Sequence, residues 1–166
     1  MIRQIYILIL LIILSACANP QPRTKYIFED HYHYGELYKE LLLSHEAHPW
    51  FKKNYNTYMP DLNQLDKKDL NDITIRIFMG TWCHDSKREV PRFYKILNAL
   101  QFDESRITMT GLKKNKKGYF KDYSKFGITN TPTIIIYRKN IEIGRIIERP
   151  DKSLESHFIK ILEKAS

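Results

Sequence analysis

The chain has 166 residues, 43% of them hydrophobic, and carries 27 Lys and Arg against 19 Asp and Glu for a formal net charge of +8. That length suits one domain with one core once a leader is set aside. The basic residues are dispersed as short clusters (Lys52-Lys53, Lys87-Arg88, Lys113-Lys114), and no nucleic-acid motif, internal repeat or Gly-rich phosphate loop accompanies them, so a solvated basic surface is expected and nucleic acid is not a partner.

Residues 1–17 read as an export signal. Arg3 supplies the positive end, and Ile5 to Leu14 is an apolar stretch shorter than the roughly 20 residues a membrane span needs. Leu14-Ser15-Ala16-Cys17 then resembles a bacterial lipobox. The resemblance implies an acylated Cys17 (palmitate among the chains), a membrane anchor, and a mature protein on the extracytoplasmic (periplasmic) side of a bacterial envelope. Acyl chains hold a protein durably when there is more than one. Ala18 stands where an aspartate retains some lipoproteins at the inner membrane, which favours the outer membrane in a Gram-negative host. Residues 18–30, with Pro20 and Pro22, read as a tether, and residues 31–70 as an N-terminal helical extension packed on the main domain. In that extension Leu37, Leu41 and Leu42 recur at helical spacing, Pro49 interrupts the pattern, and Leu62, Leu65 and Leu70 predict a short helix. The aromatic run from Trp50 to Met59 is expected to pack on the main domain.

Residues 71–166 carry the clearest order. Ile73, Ile75, Ile77 and Met79 alternate as a strand, and Ser86 to Leu100 is an amphipathic helix with Val90, Phe93, Leu97 and Leu100 on one face. A second strand covers 107–112, and a helix is predicted from Tyr119 to Phe126, stopped by Gly127. Thr133 to Tyr137 has the continuous apolar character of a strand buried on both faces. Ile141 to Ile147 follows after a turn at Lys139-Asn140, and Asp151 is placed to cap a last helix. The order βαβαββα predicts an α/β domain, a mixed central sheet flanked by helices on both faces.

The chemistry centres on Thr81-Trp82-Cys83-His84-Asp85-Ser86, where a strand gives way to a helix. With Cys17 lipidated, Cys83 is the only remaining thiol, so its chemistry needs a sulfur from another molecule. A cysteine at a helix start faces unpaired amides and the positive end of the dipole, which favour thiolate over thiol. Ser86 is placed to donate its hydroxyl to that sulfur. Lys87 and Arg88 favour the thiolate and Asp85 opposes it, while His84 helps only when protonated. The bland alternative, a buried structural cysteine, fits a polar His-Asp-Ser flank poorly.

The Trp82-Cys83-x-x-Ser86 motif, Pro91 eight residues after the cysteine, and Phe126-Gly127-Ile128-Thr129-Asn130-Thr131-Pro132-Thr133 before an apolar strand together resemble the thioredoxin-like family. The stretch Trp82 to Arg92 is similar to a bacterial monothiol subgroup that lacks the second cysteine. The resemblance implies a thioredoxin-like fold, a cis peptide before Pro132, and a Thr131-Pro132 loop that lies against Cys83 and pairs with an extended substrate. Trp82 then covers the sulfur toward the substrate, packs in the core, or does both. Glu148, at the end of the last strand, either approaches Cys83 and tunes it or stands in solvent. One position departs from the family: Ile77 stands where thioredoxins carry a buried acid that serves the second cysteine.

The function expected from these features is extracytoplasmic thiol–disulfide exchange through Cys83, with Ser86 beside it, on protein or low-molecular-weight thiols and disulfides, without a cofactor. The alternative is a non-catalytic binding or chaperone-like module. A peroxiredoxin reading lacks the Pro-x-x-x-Thr-x-x-Cys pattern before Cys83. His31 with His33, and His45 with His48, have spacings that metal ligands use, but neither pair has a cysteine or acidic cluster to complete it, so no metal is expected.

Overall fold

The computed structural model describes residues 25–63, 65 and 68–164. The signal segment, the lipobox and Cys17 therefore lie outside the described residues. The alternating run centred on Ile75 forms the central strand β3 (Ile73–Met79), with Ile73, Ile75, Ile77 and Met79 buried on one face. Arg76 and Phe78 point to the other face, as a two-residue period requires.

Around it lie β1 (Tyr26–Glu29), β2 (Tyr32–Leu37), β4 (Ile107–Gly111), β5 (Thr133–Arg138) and β6 (Ile141–Ile147). They form one six-stranded sheet in the order β1-β2-β4-β3-β5-β6. Only β3 and β4 run parallel; β1–β2, β2–β4, β3–β5 and β5–β6 pair antiparallel. Among the described residues the α-helices are α1 (Lys39–Ser44), α2 (Pro49–Thr57), α3 (His84–Ala99) and α4 (Leu154–Glu163). Among the described residues, no helix is long and apolar enough to cross a membrane.

One large core joins β3, β5 and β6 to the helices. Leu42 of α1, Phe51 of α2, Phe93, Ile96 and Leu97 of α3 and Phe158 of α4 all bury completely in it. Burial of each such side chain contributes about 1.5–3 kcal/mol. The opposite face of the sheet carries a smaller cluster, Phe78, Leu112 and Ile135, covered by Tyr123, Phe126 and Ile128. The sheet is thus mixed and flanked by helices as expected, but its second face is covered by an irregular segment.

That difference traces to the helix predicted over 119–126. Only a 3-10 turn at Ser124–Phe126 forms there. Asp122 accepts from the Ser124 N–H at 2.8 Å and from its hydroxyl at 2.7 Å, a local turn that competes with helix. Gly127 does end the turn, in the left-handed region at φ 59°.

Three further expectations are corrected. The end of the supposed tether is β1, and the extension, expected to be helical, begins with the β1–β2 hairpin before α1 and α2. Its turn, Asp30-His31, has positive φ at both residues (51° and 66°), the form that two-residue hairpins favour. The short helix expected from Leu62, Leu65 and Leu70 is replaced by turns among the described residues. The last helix is capped by Ser153, not Asp151: Ser153 Oγ accepts from the Ser156 N–H at 3.1 Å, and Ser156 Oγ accepts from the Ser153 N–H at 3.2 Å. Pro49 falls at the first turn of α2, where a missing N–H costs nothing.

Pro91 sits inside α3 and cannot bond the carbonyl of Lys87. Asn54 of α2 supplies the missing donor: its Nδ2 reaches the Lys87 carbonyl at 3.1 Å. The extension therefore completes the helix that starts at Cys83.

Candidate functional site

β3 ends at Met79 and the chain turns through Gly80, Thr81, Trp82 and Cys83 before α3 begins. The Cys83 N–H closes the turn by donating to the Gly80 carbonyl at 2.9 Å. Ser86, fully buried in the first turn of α3, accepts from the Gly80 N–H at 3.2 Å through Oγ. Thr81, also buried, accepts from the His33 N–H at 2.9 Å and donates its hydroxyl to the His33 carbonyl at 3.3 Å. The loop is thus fixed from α3 on one side and from β2 on the other.

Cys83 is the N-cap residue of α3, with extended backbone and a half-buried side chain. Its thiol donates to the Thr131 carbonyl, with Sγ 3.0 Å from the oxygen. The Thr131-Pro132 peptide is cis. Thr131 is buried, and the Pro132 carbonyl accepts from the Glu148 N–H at 2.7 Å. The loop is closed on its other side by the Thr133 hydroxyl, which donates to the Asn130 carbonyl at 2.7 Å. Cys83 and the Thr131-Pro132 loop therefore lie against each other.

The remaining residues divide. Ser86 makes no hydrogen bond to the sulfur; its oxygen binds the Gly80 N–H, because the first turn of α3 packs it inward against the end of β3. Trp82 lays its ring over Gly80, where an added Cβ would fall 2.4 Å from the ring. Its Nε1 donates to the Leu112 carbonyl at 2.8 Å, and the Lys116 ammonium lies 5.3 Å from the ring centroid. The half-buried ring is anchored by packing on Gly80 and by a backbone bond, and it belongs to neither apolar cluster.

Arg88 is engaged by two carboxylates: Nη2 lies 2.7 Å from Asp85 Oδ1, and Nε pairs with the buried Glu89. Asp85 is likewise neutralised by that pair. His84 is 86% exposed, with Nδ1 3.9 Å from Asp85 Oδ1. Glu148 joins the site through its backbone N–H, at φ 53°, and its carboxylate forms no bond or ion pair with Cys83.

Two features escaped the sequence reading. The first is Thr81, whose signal was a hydroxyl separated by Gly80 alone from the end of an apolar strand. The second is a histidine cluster: the two pairs do not act as pairs, but His33, His45 and His48 converge while His31 stays exposed. Burial, with His45 nearby, lowers His33 to about 4. Burial, with His33 nearby, lowers His48 to about 4. Both rings are neutral at ordinary pH.

No known protein family profile matches the chain, and no curated protein matches it. Solved structures similar to it include thioredoxin f2 of Chlamydomonas reinhardtii, at 18% identity over 66% of this chain and 90% of that one, with a TM-score of 0.42. Thioredoxin O2 of Arabidopsis thaliana, in its oxidized state, is 13% identical over 68% of this chain and 86% of its own, with a TM-score of 0.41. Fasciola hepatica thioredoxin is 12% identical over 63% of this chain and 88% of its own, with a TM-score of 0.40. The thioredoxin-like fold assigned here rests on strand order, on the helix that starts at Cys83, and on the cis-proline loop against it.

Proposed function

We propose that this protein is a lipid-anchored, monothiol thioredoxin-like protein that exchanges disulfides on the extracytoplasmic side of a bacterial envelope, with Cys83 as its nucleophile. The observation that carries the reading is the half-buried Cys83 sulfur at the start of α3, 3.0 Å from the carbonyl of the cis-proline loop. A thiol at a helix start, beside a backbone edge that an extended chain can pair with, is suited to attack a disulfide in that chain.

The steps balance without a cofactor. The Cys83 thiolate attacks one sulfur of a substrate disulfide, forms the Cys83–substrate disulfide, and expels the other sulfur as a thiolate. A second thiolate, from the substrate or from a low-molecular-weight thiol, attacks that mixed disulfide, takes over the bond, and returns Cys83 to its thiolate. One disulfide enters and one leaves, so there is no net oxidation or reduction. The resolving thiol comes from outside, because Ser86 cannot attack a disulfide and Cys83 is the only cysteine among the described residues. The site therefore suits isomerisation or removal of small thiols from proteins better than dithiol reduction. In this reading Ser86 is a positioning residue, and the membrane is reached through lipid on Cys17, the outer membrane being favoured in a Gram-negative host.

The rate of exchange with a small aromatic disulfide in the presence of glutathione tests the proposal. The wild type is expected to exceed Cys83→Ser at least tenfold. Equal rates would leave a non-catalytic binding module as the better reading. Incorporation of labelled palmitate, lost in Cys17→Ser, tests the anchor.

A further inference from the structure

The most unusual cluster outside the Cys83 site is made of three imidazoles contributed by three separate segments. His33 lies in β2, His45 ends α1, and His48 precedes α2. His33 and His48 are 1% and 2% exposed, and His45 is half-buried. One ligand-capable nitrogen from each lies within 4.8 Å of the other two, and His33 Nδ1 and His48 Nε2 are 2.7 Å apart.

The surroundings are aromatic. The Phe28 ring lies 4.7 Å from that of His33 and 4.6 Å from that of His45, and Trp50 lies 5.2 Å from His48. Among the described residues no carboxylate bonds to any of the three rings. A single His33–His48 hydrogen bond accounts for only part of the arrangement. It leaves His48 Nδ1 buried with no hydrogen bond, and it gives no reason for His45, whose Nδ1 accepts from the Ala47 N–H at 3.2 Å, to bring its ring to 4.6 Å from that of His33.

We propose that His33, His45 and His48 form a binding site for a divalent late first-row transition metal, with Zn²⁺ as the representative ion. Metal–imidazole bonds of about 2.0–2.1 Å place tetrahedral ligand nitrogens about 3.3 Å apart, inside the range these nitrogens already span. Three neutral imidazoles without thiolate or hard oxygen donors match zinc, copper or nickel and not calcium or magnesium. The backbone of His33 is held on both sides by Thr81, the kind of outer support that fixes a ligand in place. The half-exposed side at His45 leaves the fourth position to water or an outside donor. A bound ion would tie β2, α1 and α2 together at one point, beside Thr81, which lies two residues before Cys83.

The test is a Co²⁺ titration of the full chain in detergent, prepared without a polyhistidine tag, followed by visible ligand-field absorption and then displaced by Zn²⁺. One equivalent per chain is expected, with bands of a four- or five-coordinate ion and no sulfur-to-metal charge transfer. His45→Ala, at the most exposed of the three rings, is expected to weaken binding at least tenfold. His31→Ala, on the exposed turn beside the cluster, and Cys83→Ser are expected to leave it within twofold. Absence of saturable binding by the wild type overturns the proposal and leaves a buried histidine pair. So does binding that survives His45→Ala in a folded variant, or that disappears with Cys83→Ser. If His45→Ala does not fold, His48→Gln replaces it under the same criterion.

Discussion

At Cys83 the thiol hydrogen is shared with the Thr131 carbonyl, so the sulfur is already oriented toward the cis-proline loop before any substrate arrives. Ionisation removes that bond, and the Cys83 side chain takes no cap hydrogen bond from the first turn of α3. Ser86 acts on the same site indirectly. Its oxygen satisfies the buried Gly80 N–H, which would otherwise be an orphan donor at the end of β3. Ser86→Ala is therefore expected to lower stability by about 1–3 kcal/mol, read by chemical denaturation, while the exchange rate of the folded variant stays within a few-fold of wild type. A drop in rate to the level of Cys83→Ser with unchanged stability would mean that the hydroxyl serves the sulfur directly. The motif itself was legible in the sequence as a thiol between a strand and a helix. The destination of the Ser86 hydroxyl was not, because spacing along a helix does not say whether a side chain turns toward the N-cap sulfur or toward the preceding strand. Nor was the pairing of Arg88 with Asp85 and Glu89, which engages a cation that the sequence placed beside the thiol.

Among the elements, α3 shows how a helix that starts at the site depends on a segment far away in the chain. Pro91 deprives the Lys87 carbonyl of its helical partner, and Asn54 of α2 donates to it instead. Asn54→Ala is expected to cost about 1–2 kcal/mol in unfolding free energy, from two lost side-chain bonds and an orphaned carbonyl. The same substitution made in a Pro91→Ala background should cost less, since a residue with an N–H at position 91 can satisfy Lys87; equal costs in the two backgrounds would break this coupling. The strands β3, β5 and β6 could be read directly, because alternating or continuous apolar residues flanked by turn residues leave little choice. The hairpin β1–β2 could not. Its turn, Asp30-His31, has none of the glycine that usually marks such turns, and its strands carry His33, Gly35 and Glu36 where apolar residues would signal burial. The helix expected over 119–126 failed for a local reason, the Asp122–Ser124 turn, to which helical periodicity is blind.

For the molecule as a whole, the N-terminal extension is built into the domain at several points. Tyr58 donates to both oxygens of the buried Glu155 carboxylate, at 2.9 and 3.1 Å, and burial with that carboxylate raises Tyr58 above its usual range, keeping it a donor. Asn54 on Lys87 of α3 and His33 on Thr81 are two contacts by which the extension reaches the segments that hold Cys83. The buried histidines make this assembly sensitive to acid. His33 and His48 fall from 6.5 to about 4 in the folded protein, so between these values the unfolded chain binds more protons and stability rises with pH. In metal-free protein the thermal midpoint is expected to hold above pH 6.5 and to decline as pH falls toward 4, and His48→Gln should flatten that decline. Lys87 also faces this cluster, and its charge, with His33 and His45 nearby, opposes protonation of His48 in the same sense. A midpoint independent of pH across that window would contradict the burial argument.

The central claim, a single sulfur that makes and releases mixed disulfides, is tested most directly by intact-mass analysis of the protein quenched in acid straight from membranes. A disulfide-linked adduct confined to Cys83, lost on adding excess thiol and re-formed with a small disulfide, is the predicted result. A Cys83 found only as free thiol, and still free after incubation with that disulfide, would contradict it.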